Sequence, residues 1–163
     1  MRTGLFNLIT MLSLTVLFFS CRSQVSPALT EEEKKVVAKE VETVVRNFMT
    51  ADTICYETHT GLRANTEGYV MGGEGKIKFT SYDDYNKSMK ASFANIQKFT
   101  EFEIMSMYVY VLAKDAATCT TLFKSKFLRT TGDTIVNNGC WTMVFKKFDG
   151  EWKVVQENGT HTK

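Results

Sequence analysis

The carboxyl-terminal part of the chain contains four long runs rich in Val, Thr, Phe, Tyr and Trp, a composition typical of β-strands. Short turn sequences separate the runs, and Asp149-Gly150 is the strongest hairpin signal among them. Consecutive long strands joined by tight turns form an antiparallel meander. The predicted strands are Phe102 to Leu112, Ala117 to Arg129, Gly139 to Phe148 and Glu151 to Thr160.

Helical periodicity precedes the strands and begins at a capping signal. Thr30-Glu31-Glu32-Glu33 has the form of a capping box, in which the Thr30 hydroxyl and the Glu33 carboxylate each accept from the other residue's amide. Apolar residues then recur at helical spacing up to about Met49, which predicts one long amphipathic helix. The residues of this stripe are Val37, Val41, Val44, Val45 and Phe48.

Two shorter helices are predicted before the meander. Asp52 is the predicted cap of a helix that runs to about Thr58, and Ser81 or Thr80 opens a third helix. The stripe of the third helix is Tyr85, Met89, Phe93 and Ile96. Between these helices lies a glycine-punctuated stretch with a short strand near Tyr69-Val70-Met71. The stretch lacks the Gly-Lys-Ser/Thr ending of a phosphate-binding loop. Helices followed by a curled sheet predict an α+β domain with the helices on one sheet face.

The amino-terminus carries an export signal. Leu5 to Phe19 is an apolar stretch of about 15 residues, the size of a signal-peptide core rather than of a membrane span. Ser20-Cys21 follows and resembles the lipobox of bacterial lipoproteins, although Phe18 stands where an aliphatic residue is usual. The expected division is a signal peptide at 1–20, a tether at 21–29 and a domain at 30–163. An ordinary secretory signal and an uncleaved anchor remain alternatives.

A lipid on Cys21 would place the domain at the cell envelope, on the periplasmic side or at the outer membrane, rather than in the cytoplasm. The chain has 20 Lys and Arg against 18 Asp and Glu, so it has no basic field for nucleic acid. Strand alternation puts Cys119 and Cys140 on opposite sheet faces, which predicts free thiols there. No Cys and His cluster has metal-ligand spacing, so neither a metal nor a cofactor is predicted.

The order of these elements resembles the SnoaL-like (polyketide-cyclase-like) superfamily, which includes ketosteroid isomerases, scytalone dehydratases and nuclear transport factor two. Its most specific part is the segment from Trp141 to Val155, which is similar to the closing hairpin of the family. The resemblance covers about Glu31 to Thr160. It implies a cystatin-like cone roll, in which three amino-terminal helices pack in a curved, mainly antiparallel sheet and leave an apolar pocket.

Candidate pocket residues follow from this cone. Alternation places Trp152, Gln156, Asn158 and Thr160 on one face of the last strand, so the polar members would line the pocket mouth. The aromatic candidates are Tyr56, Tyr69 and Trp141, for which core packing is the alternative. The two histidines are predicted to lie apart from the pocket, His59 in a solvated loop and His161 at a frayed end.

Function is predicted from the chemistry of those candidates. Family relatives carry histidines on the last strand, whereas Gln156 and Asn158 do not titrate near neutral pH. No residue is therefore predicted to be catalytic. The leading hypothesis is a binding domain for a small apolar molecule or a protein partner. Two copies are expected to dimerise through the outer face of the sheet. The alternative is an isomerase, dehydratase or cyclase that uses Asp52, Tyr56 or Glu57 in acid and base catalysis. A third hypothesis is an accessory subunit that binds a partner through its sheet.

Overall fold

The computed structural model describes residues 28–162. Within this range three helices accompany one sheet of six strands, so the predicted α+β cone is confirmed. The elements in chain order are α1 (Glu31–Phe48), α2 (Tyr56–Gly61), β1 (Val70–Gly73), β2 (Lys76–Phe79), α3 (Tyr82–Phe93), β3 (Ile96–Ala113), β4 (Ala116–Arg129), β5 (Thr134–Phe148) and β6 (Glu151–Thr162).

Helix α1 begins at the predicted capping box. The Thr30 amide donates to Glu33 Oε2 over 2.9 Å, and the Glu33 amide donates to Thr30 Oγ1 over 3.2 Å. Val37, Val41 and Val45 are buried on one side of the helix, as the periodicity predicts. This stripe lies against the concave face of the sheet, called here the inner face, and forms the main core with side chains of β4, β5 and β6.

The sheet has the strand order β2-β1-β6-β5-β4-β3. The four carboxyl-terminal strands pair antiparallel in sequence, which confirms the meander, whereas β1 pairs parallel with β6. Asp149 and Gly150 form the last turn with φ of 48° and 89°, the left-handed angles that a tight hairpin requires. Strand β2 was not predicted, and it follows β1 through a turn at Glu74 and Gly75.

The boundaries of the two shorter helices differ in part from prediction. Asp52 is exposed and does not cap α2, whose first helical residue is Tyr56. The segment before α2 is instead a turn that closes α1, since the Thr53 hydroxyl donates to the Asn47 carbonyl over 2.9 Å. Ser81 caps α3 as predicted, through a bond from the Asp84 amide.

The third helix also ends earlier than its apolar stripe. Helix α3 ends at Phe93, and Ile96 begins β3 instead of extending the helix. Asn95 terminates the helix, since its side-chain amide donates to the Ala91 carbonyl over 2.9 Å. The predicted stripe is buried at Tyr85 only, because Met89 and Phe93 border the cavity described below.

The cysteines of the meander lie on opposite faces, as predicted. Cys119 is buried on the inner face, Cys140 is exposed, and both are free thiols. Burial raises the pKa of the Cys119 thiol to about 12, so this residue behaves as a small apolar core side chain.

A β-bulge at Val155 changes which residues of β6 face inward. Val144 pairs with Gln156 while the next residue of β5, Phe145, pairs with Val154, so Val155 is an extra residue in the ladder. Before the bulge Trp152 and Val154 are buried, and after it the buried residues are Glu157 and Gly159. The predicted alternation is therefore wrong beyond Val154, and Gln156 and Asn158 are exposed on the other face.

Candidate functional site

A cavity of about 450 Å³ lies between the helices and the inner face of the sheet. Its lining is mostly aromatic and aliphatic, with eight polar or charged side chains among the lining residues. Such a volume and composition are typical of sites for small molecules. The apolar lining residues are Phe48, Met49, Ile54, Met71, Phe79, Met89, Phe93, Ile96, Phe99, Phe102, Phe123, Phe127, Trp141 and Met143, and the polar ones are His59, Arg63, Lys78, Ser88, Ser92, Ser125, Asn137 and His161.

Two glycines allow aromatic rings to lie flat on the inner face. Gly159 is the strand partner of Trp141, and a Cβ atom at Gly159 would lie 2.9 Å from the indole Cγ. Gly139 is the partner of Phe123, whose ring occupies the space of its missing side chain. The Phe123 and Trp141 rings stack at a centroid distance of 6.2 Å. Glycine at both positions is therefore required for this wall of the cavity.

A buried ion pair lies beside the cavity. Arg63 Nη2 donates to Glu157 Oε2 over 2.8 Å and Arg63 Nε donates to Glu157 Oε1 over 3.1 Å, and the two side chains are 1% and 0% exposed. The Tyr69 hydroxyl also donates to Glu157 Oε1. Arg63 Nη1 donates to the His59 carbonyl over 2.7 Å. Both carboxylate oxygens of Glu157 are thus engaged, which satisfies a charge that burial alone would strongly disfavour.

The ion pair perturbs its neighbours. Burial is the largest single influence on Arg63 and lowers its pKa, but the charge of and hydrogen bonds to Glu157, together with the nearby Tyr85 and Tyr69 hydroxyls, outweigh it and leave that pKa above its usual value. Burial and the Glu157 charge both raise the pKa of Tyr69, so its hydroxyl stays a proton donor in the hydrogen bond. The hydrogen-bonded side chains of Arg63, Tyr69 and Glu157 join the loop after α2 and the start of β1 to strand β6. They form a structural anchor for the cavity wall.

His59 is buried on α2, and the prediction that it lies in a solvated loop is wrong. Its ring lies 5.2 Å from the Phe93 ring and 5.5 Å from the Phe48 ring, centroid to centroid. Burial, followed by the charge of Arg63, lowers the pKa of His59 well below its ordinary value, so the imidazole is neutral near pH 7. Its Nδ1 atom has no hydrogen-bond partner among the residues that the structure describes.

His161 is half-buried beside Trp141, with ring centroids 5.4 Å apart. The prediction of a frayed end is wrong here, because β6 continues to Thr162 and His161 pairs with Gly139. Burial and then the charge of Lys78 lower the pKa of His161, whereas Glu74 acts in the opposite direction. Both histidines therefore line one cavity, with Trp141 beside each of them.

The sequence-predicted pocket residues are only partly brought together. Trp141 lines the cavity. Tyr69 is fully buried and binds Glu157 instead of lining the cavity. Gln156 and Asn158 face away from it. Whether Tyr69, Gln156 or Asn158 contacts a ligand stays a prediction, but the bulge removes the alternation on which the last two were chosen.

Tyr56 and the two proposed bases lie outside the main cavity. The Tyr56 hydroxyl donates to Asn86 Oδ1 over 2.7 Å, and its side chain lines a smaller neighbouring pocket. Asp52 and Glu57 are exposed, so neither carboxylate is held in apolar surroundings beside Tyr56. This placement contradicts the particular enzyme hypothesis that required one of them as a buried base.

The residues that sequence reasoning missed are Arg63, Glu157 and the buried position of His59. Arg63 and Glu157 are 94 residues apart, and strict alternation assigns Glu157 to the solvent face. Only a sequence signal for the bulge at Val155 would have predicted that Glu157 is buried. Cys21 lies outside the described residues.

No group of three or more His, Cys, Asp or Glu side chains within residues 28–162 has the geometry of a metal site. None of the helices in that range is long and apolar enough to cross a membrane.

Comparison with known proteins identifies the fold and the family. A family model described as SnoaL-like domain matches residues 41–160. Among curated protein sequences none matches the chain. The expected SnoaL-like resemblance is thereby confirmed, while the expected lipoprotein character is not tested by these matches.

Several solved structures are similar to this one. A nuclear transport factor 2 (NTF2-like) superfamily protein from Salmonella enterica serovar Typhimurium has a TM-score of 0.66 at 12% identity, covering 79% of this chain and 93% of that one. A protein provisionally named a scytalone dehydratase from Novosphingobium aromaticivorans has a TM-score of 0.66 at 13% identity, with 82% and 89% covered. A hexachlorocyclohexane dehydrochlorinase has a TM-score of 0.58 at 8% identity, with 79% and 90% covered. At these identities the likeness concerns the fold alone.

Proposed function

The chain belongs to the SnoaL-like domain family, and we propose that its cavity binds a small, largely apolar molecule without transforming it. The observation that carries this proposal is the cavity of about 450 Å³ with seven phenylalanines in its lining. Burial of an apolar molecule there contributes about 25 cal/mol for each Å² of apolar surface removed from water. The helices and sheet form the lining without any further chain, so the site is built before a ligand arrives.

Binding is favoured over proton transfer by the state of the ionisable groups. A general base works best when its pKa lies near the working pH. The pKa values of His59 and His161 are both lowered by burial, and among residues 28–162 no carboxylate is hydrogen-bonded to either imidazole. The buried carboxylate of Glu157 already accepts bonds from Arg63 and Tyr69, which leaves it poorly suited to abstract a proton.

The alternative proposal is an isomerase-type or dehydratase-type enzyme of the same fold. Two solved structures that resemble this one are named as a dehydratase and a dehydrochlorinase, and here His59 and His161 line one cavity. In such an enzyme His161 would be the base, because it is half-buried and reaches the solvent more readily than His59. Replacement of His161 by Gln would then abolish turnover while leaving binding intact.

Native mass spectrometry tests the binding proposal. The full chain is extracted in mild detergent from the cells that make it, and we expect a non-covalent small molecule to remain bound. Ser88→Trp places an indole in the cavity and should eliminate the bound mass, whereas Ala91→Trp adds the same group to an exposed position of α3 and should retain it. A chain that carries no molecule and takes up no apolar probe would overturn the proposal. Recovery of a substrate together with its product would favour the enzyme.

We also propose that a lipid on Cys21 holds the domain at the cell envelope. The support lies in the sequence: an apolar core, Ser20-Cys21 and a polar tether that ends at Pro27. Lipid anchoring contributes about 0.8 kcal/mol for each buried methylene. Metabolic labelling with palmitate should mark the native chain and not Cys21→Ser. A Cys21→Ser protein that remains labelled and in the membrane fraction would contradict the anchor.

We further propose that two copies associate through the outer face of the sheet, the face opposite α1. Tyr108 and Tyr110 of β3 are 72% and 70% exposed there, beside Leu122 of β4. Contiguous exposed apolar residues often mark protein interfaces, and a two-fold pair presents the same residues from both copies. Sedimentation velocity should show a dimer that Tyr110→Glu dissociates. Ile77→Glu changes an equally exposed apolar residue on β2 and should leave the dimer intact; equal behaviour of the two variants would refute this interface.

A further inference from the structure

The charged side chains in the cavity wall are all cationic, whereas its serines, Asn137 and imidazoles can both donate and accept. Arg63 and Lys78 are cationic, Trp141 offers an indole N–H, and His59 and His161 are imidazoles. None of the described residues that line the cavity is Asp or Glu. A cationic ligand would therefore find no carboxylate in the wall itself, since Glu157 and Glu74 are engaged with Arg63 and Lys78, whereas a ligand with acceptor atoms would meet donors.

Within residues 28–162 one of these donors has no partner, and Arg63 has N–H groups beyond those that its hydrogen bonds use. The guanidinium of Arg63 has five N–H groups, and its hydrogen bonds use one on each nitrogen, to Glu157 and to the His59 carbonyl. The Trp141 Nε1–H is buried and has no acceptor within residues 28–162. Since buried N–H groups in proteins are almost always paired with protein, water or ligand, an acceptor atom of a ligand is one partner that would satisfy it.

The unpaired indole lies among the cationic groups. The guanidinium carbon of Arg63 is 5.9 Å from the centroid of the Trp141 ring, and the His161 ring is 5.4 Å from it. Lys78 lies close enough to lower the pKa of His161. The Lys78 side chain is 23% exposed, and its Nζ atom forms an ion pair with Glu74, 3.1 Å away. Arg63 and His161 thus lie beside the Trp141 ring, and Lys78 lies near His161, in a wall that is mostly apolar.

We propose that the bound molecule is an apolar carboxylic acid, held as its carboxylate. Its hydrocarbon body lies among the phenylalanine rings, and its carboxylate accepts from the Trp141 indole near the charge of Lys78. The inference rests on the proposed binding function and names the ligand class for the same cavity. Hydrogen bonds to a charged acceptor are about twice as strong as neutral ones, which makes the acid the preferred head group over an amide or an alcohol.

Three probes with one skeleton and three charges test the ligand class. Phenylhexanoate, phenylhexanamide and phenylhexylamine are titrated into the full chain carrying Trp152→Phe. Trp152 donates to Glu40, over 2.8 Å, and does not line the cavity, so this background makes Trp141 the sole fluorescent indole. We expect the carboxylate to bind about tenfold more tightly than the amide and the amine to bind most weakly.

Pairs of variants test whether the charge of Lys78 and the N–H group of Trp141 contribute to carboxylate binding. Lys78→Gln should reduce the preference for carboxylate over amide by about fivefold. Lys76→Gln removes the same charge from an exposed position of β2 outside the cavity and should leave the preference unchanged. Trp141→Phe, followed by calorimetry, should weaken the carboxylate about tenfold because the ring is retained and only the N–H is lost.

The outcomes distinguish a failure of the carboxylate assignment from a failure of the binding function. Equal binding of the three probes, or a preference for the amide or amine, overturns the carboxylate assignment and leaves the apolar binding site standing. An unchanged preference in Lys78→Gln also overturns it. If none of the probes binds and the chain from its own cells carries no molecule, the binding function itself fails.

Discussion

Replacing Glu157 by Gln tests whether the buried ion pair with Arg63 holds the cavity wall together. The carboxylate accepts from three donors, two on Arg63 and one on Tyr69, and the change retains the size of the side chain. A Gln can still accept at one oxygen. Its amide nitrogen would face Arg63 Nη2 at the present 2.8 Å, where two donors meet and the guanidinium charge has no counterion.

The expected loss follows from these contacts. Breaking a buried ion pair on one side costs about 3–5 kcal/mol, because a charge is left without its partner in a low-dielectric site. Domains of this size have unfolding free energies of about 5–15 kcal/mol, so Glu157→Gln removes a large part of the total. With a urea dependence of about 2 kcal/mol per molar, the unfolding midpoint should fall by about 1.5–2.5 M.

Glu40→Gln is the matched control. Glu40 Oε2 accepts from Lys147 over 2.6 Å and from Trp152 over 2.8 Å, but the Glu40 side chain is 40% exposed. Solvent screening limits such a pair to about 1 kcal/mol or less. Circular dichroism during urea titration measures both variants without depending on the tryptophans. A loss at Glu157 no greater than the loss at Glu40 would refute the assignment of the ion pair as a structural anchor.

A double variant tests whether Arg63 and Glu157 stabilise each other. Arg63→Met combined with Glu157→Gln removes the unpaired charge while retaining an acceptor for Tyr69. The double variant should therefore lose less stability than the sum of the single variants, since the two residues share one interaction. Strict additivity would indicate that the two side chains do not stabilise one another.

Three further predictions concern the wall, the buried histidine and the first helix. Gly159→Ala places a Cβ 2.9 Å from the Trp141 indole and should lower the free energy of unfolding by about 1–3 kcal/mol. Gly61→Ala is the control, because a Cβ there meets nothing within 4 Å and should cost no stability. Similar losses for the two variants in thermal unfolding would count against the close packing at Gly159. The pKa of His59 lies below its ordinary 6.5 in the folded state, so the unfolded chain binds a proton at a higher pH than the folded chain does. The free energy of unfolding should therefore fall as the pH drops below about 6.5, by at most about 1.4 kcal/mol per pH unit. His59→Phe should flatten this slope in urea titrations at pH 7 and 5, and an unchanged slope would exclude His59 as its source. Thr30→Ala should cost about 0.5–2 kcal/mol by loss of the cap, and no change would show that the capping box is dispensable.

Local sequence determines most of the secondary structure. The capping box at Thr30 forms as predicted, because its two partners are three residues apart and need no tertiary contact. The turn at Asp149-Gly150 is likewise local, since these residue types tolerate the left-handed angles that a tight hairpin needs. The meander follows from long strand-forming runs with tight turns between them. The family pattern in the closing hairpin then predicted the cone, which the SnoaL-like match confirms.

The candidate site is less predictable because its residues are chosen by long-range pairing. Trp141 was predicted and lines the cavity, but His59 and His161 were assigned to solvent and to a frayed end. His59 is buried because α3 and the sheet pack over it, and His161 is ordered because β6 pairs with β5 through Thr162. Neither packing nor pairing partner is visible in the sequence near these residues.

The sequence by itself determined the order and type of the elements, the amphipathic face of α1 and the family pattern of the closing hairpin. The tertiary structure alone decided which face of β6 lines the cavity. One extra residue at Val155 shifts a two-residue alternation by one, so every side chain after it exchanges faces. That shift brings Glu157 to Arg63, turns His161 inward and turns Gln156 outward. Whether a bulge forms depends on the register of both strands, which is a property of their pairing and not of either strand read alone.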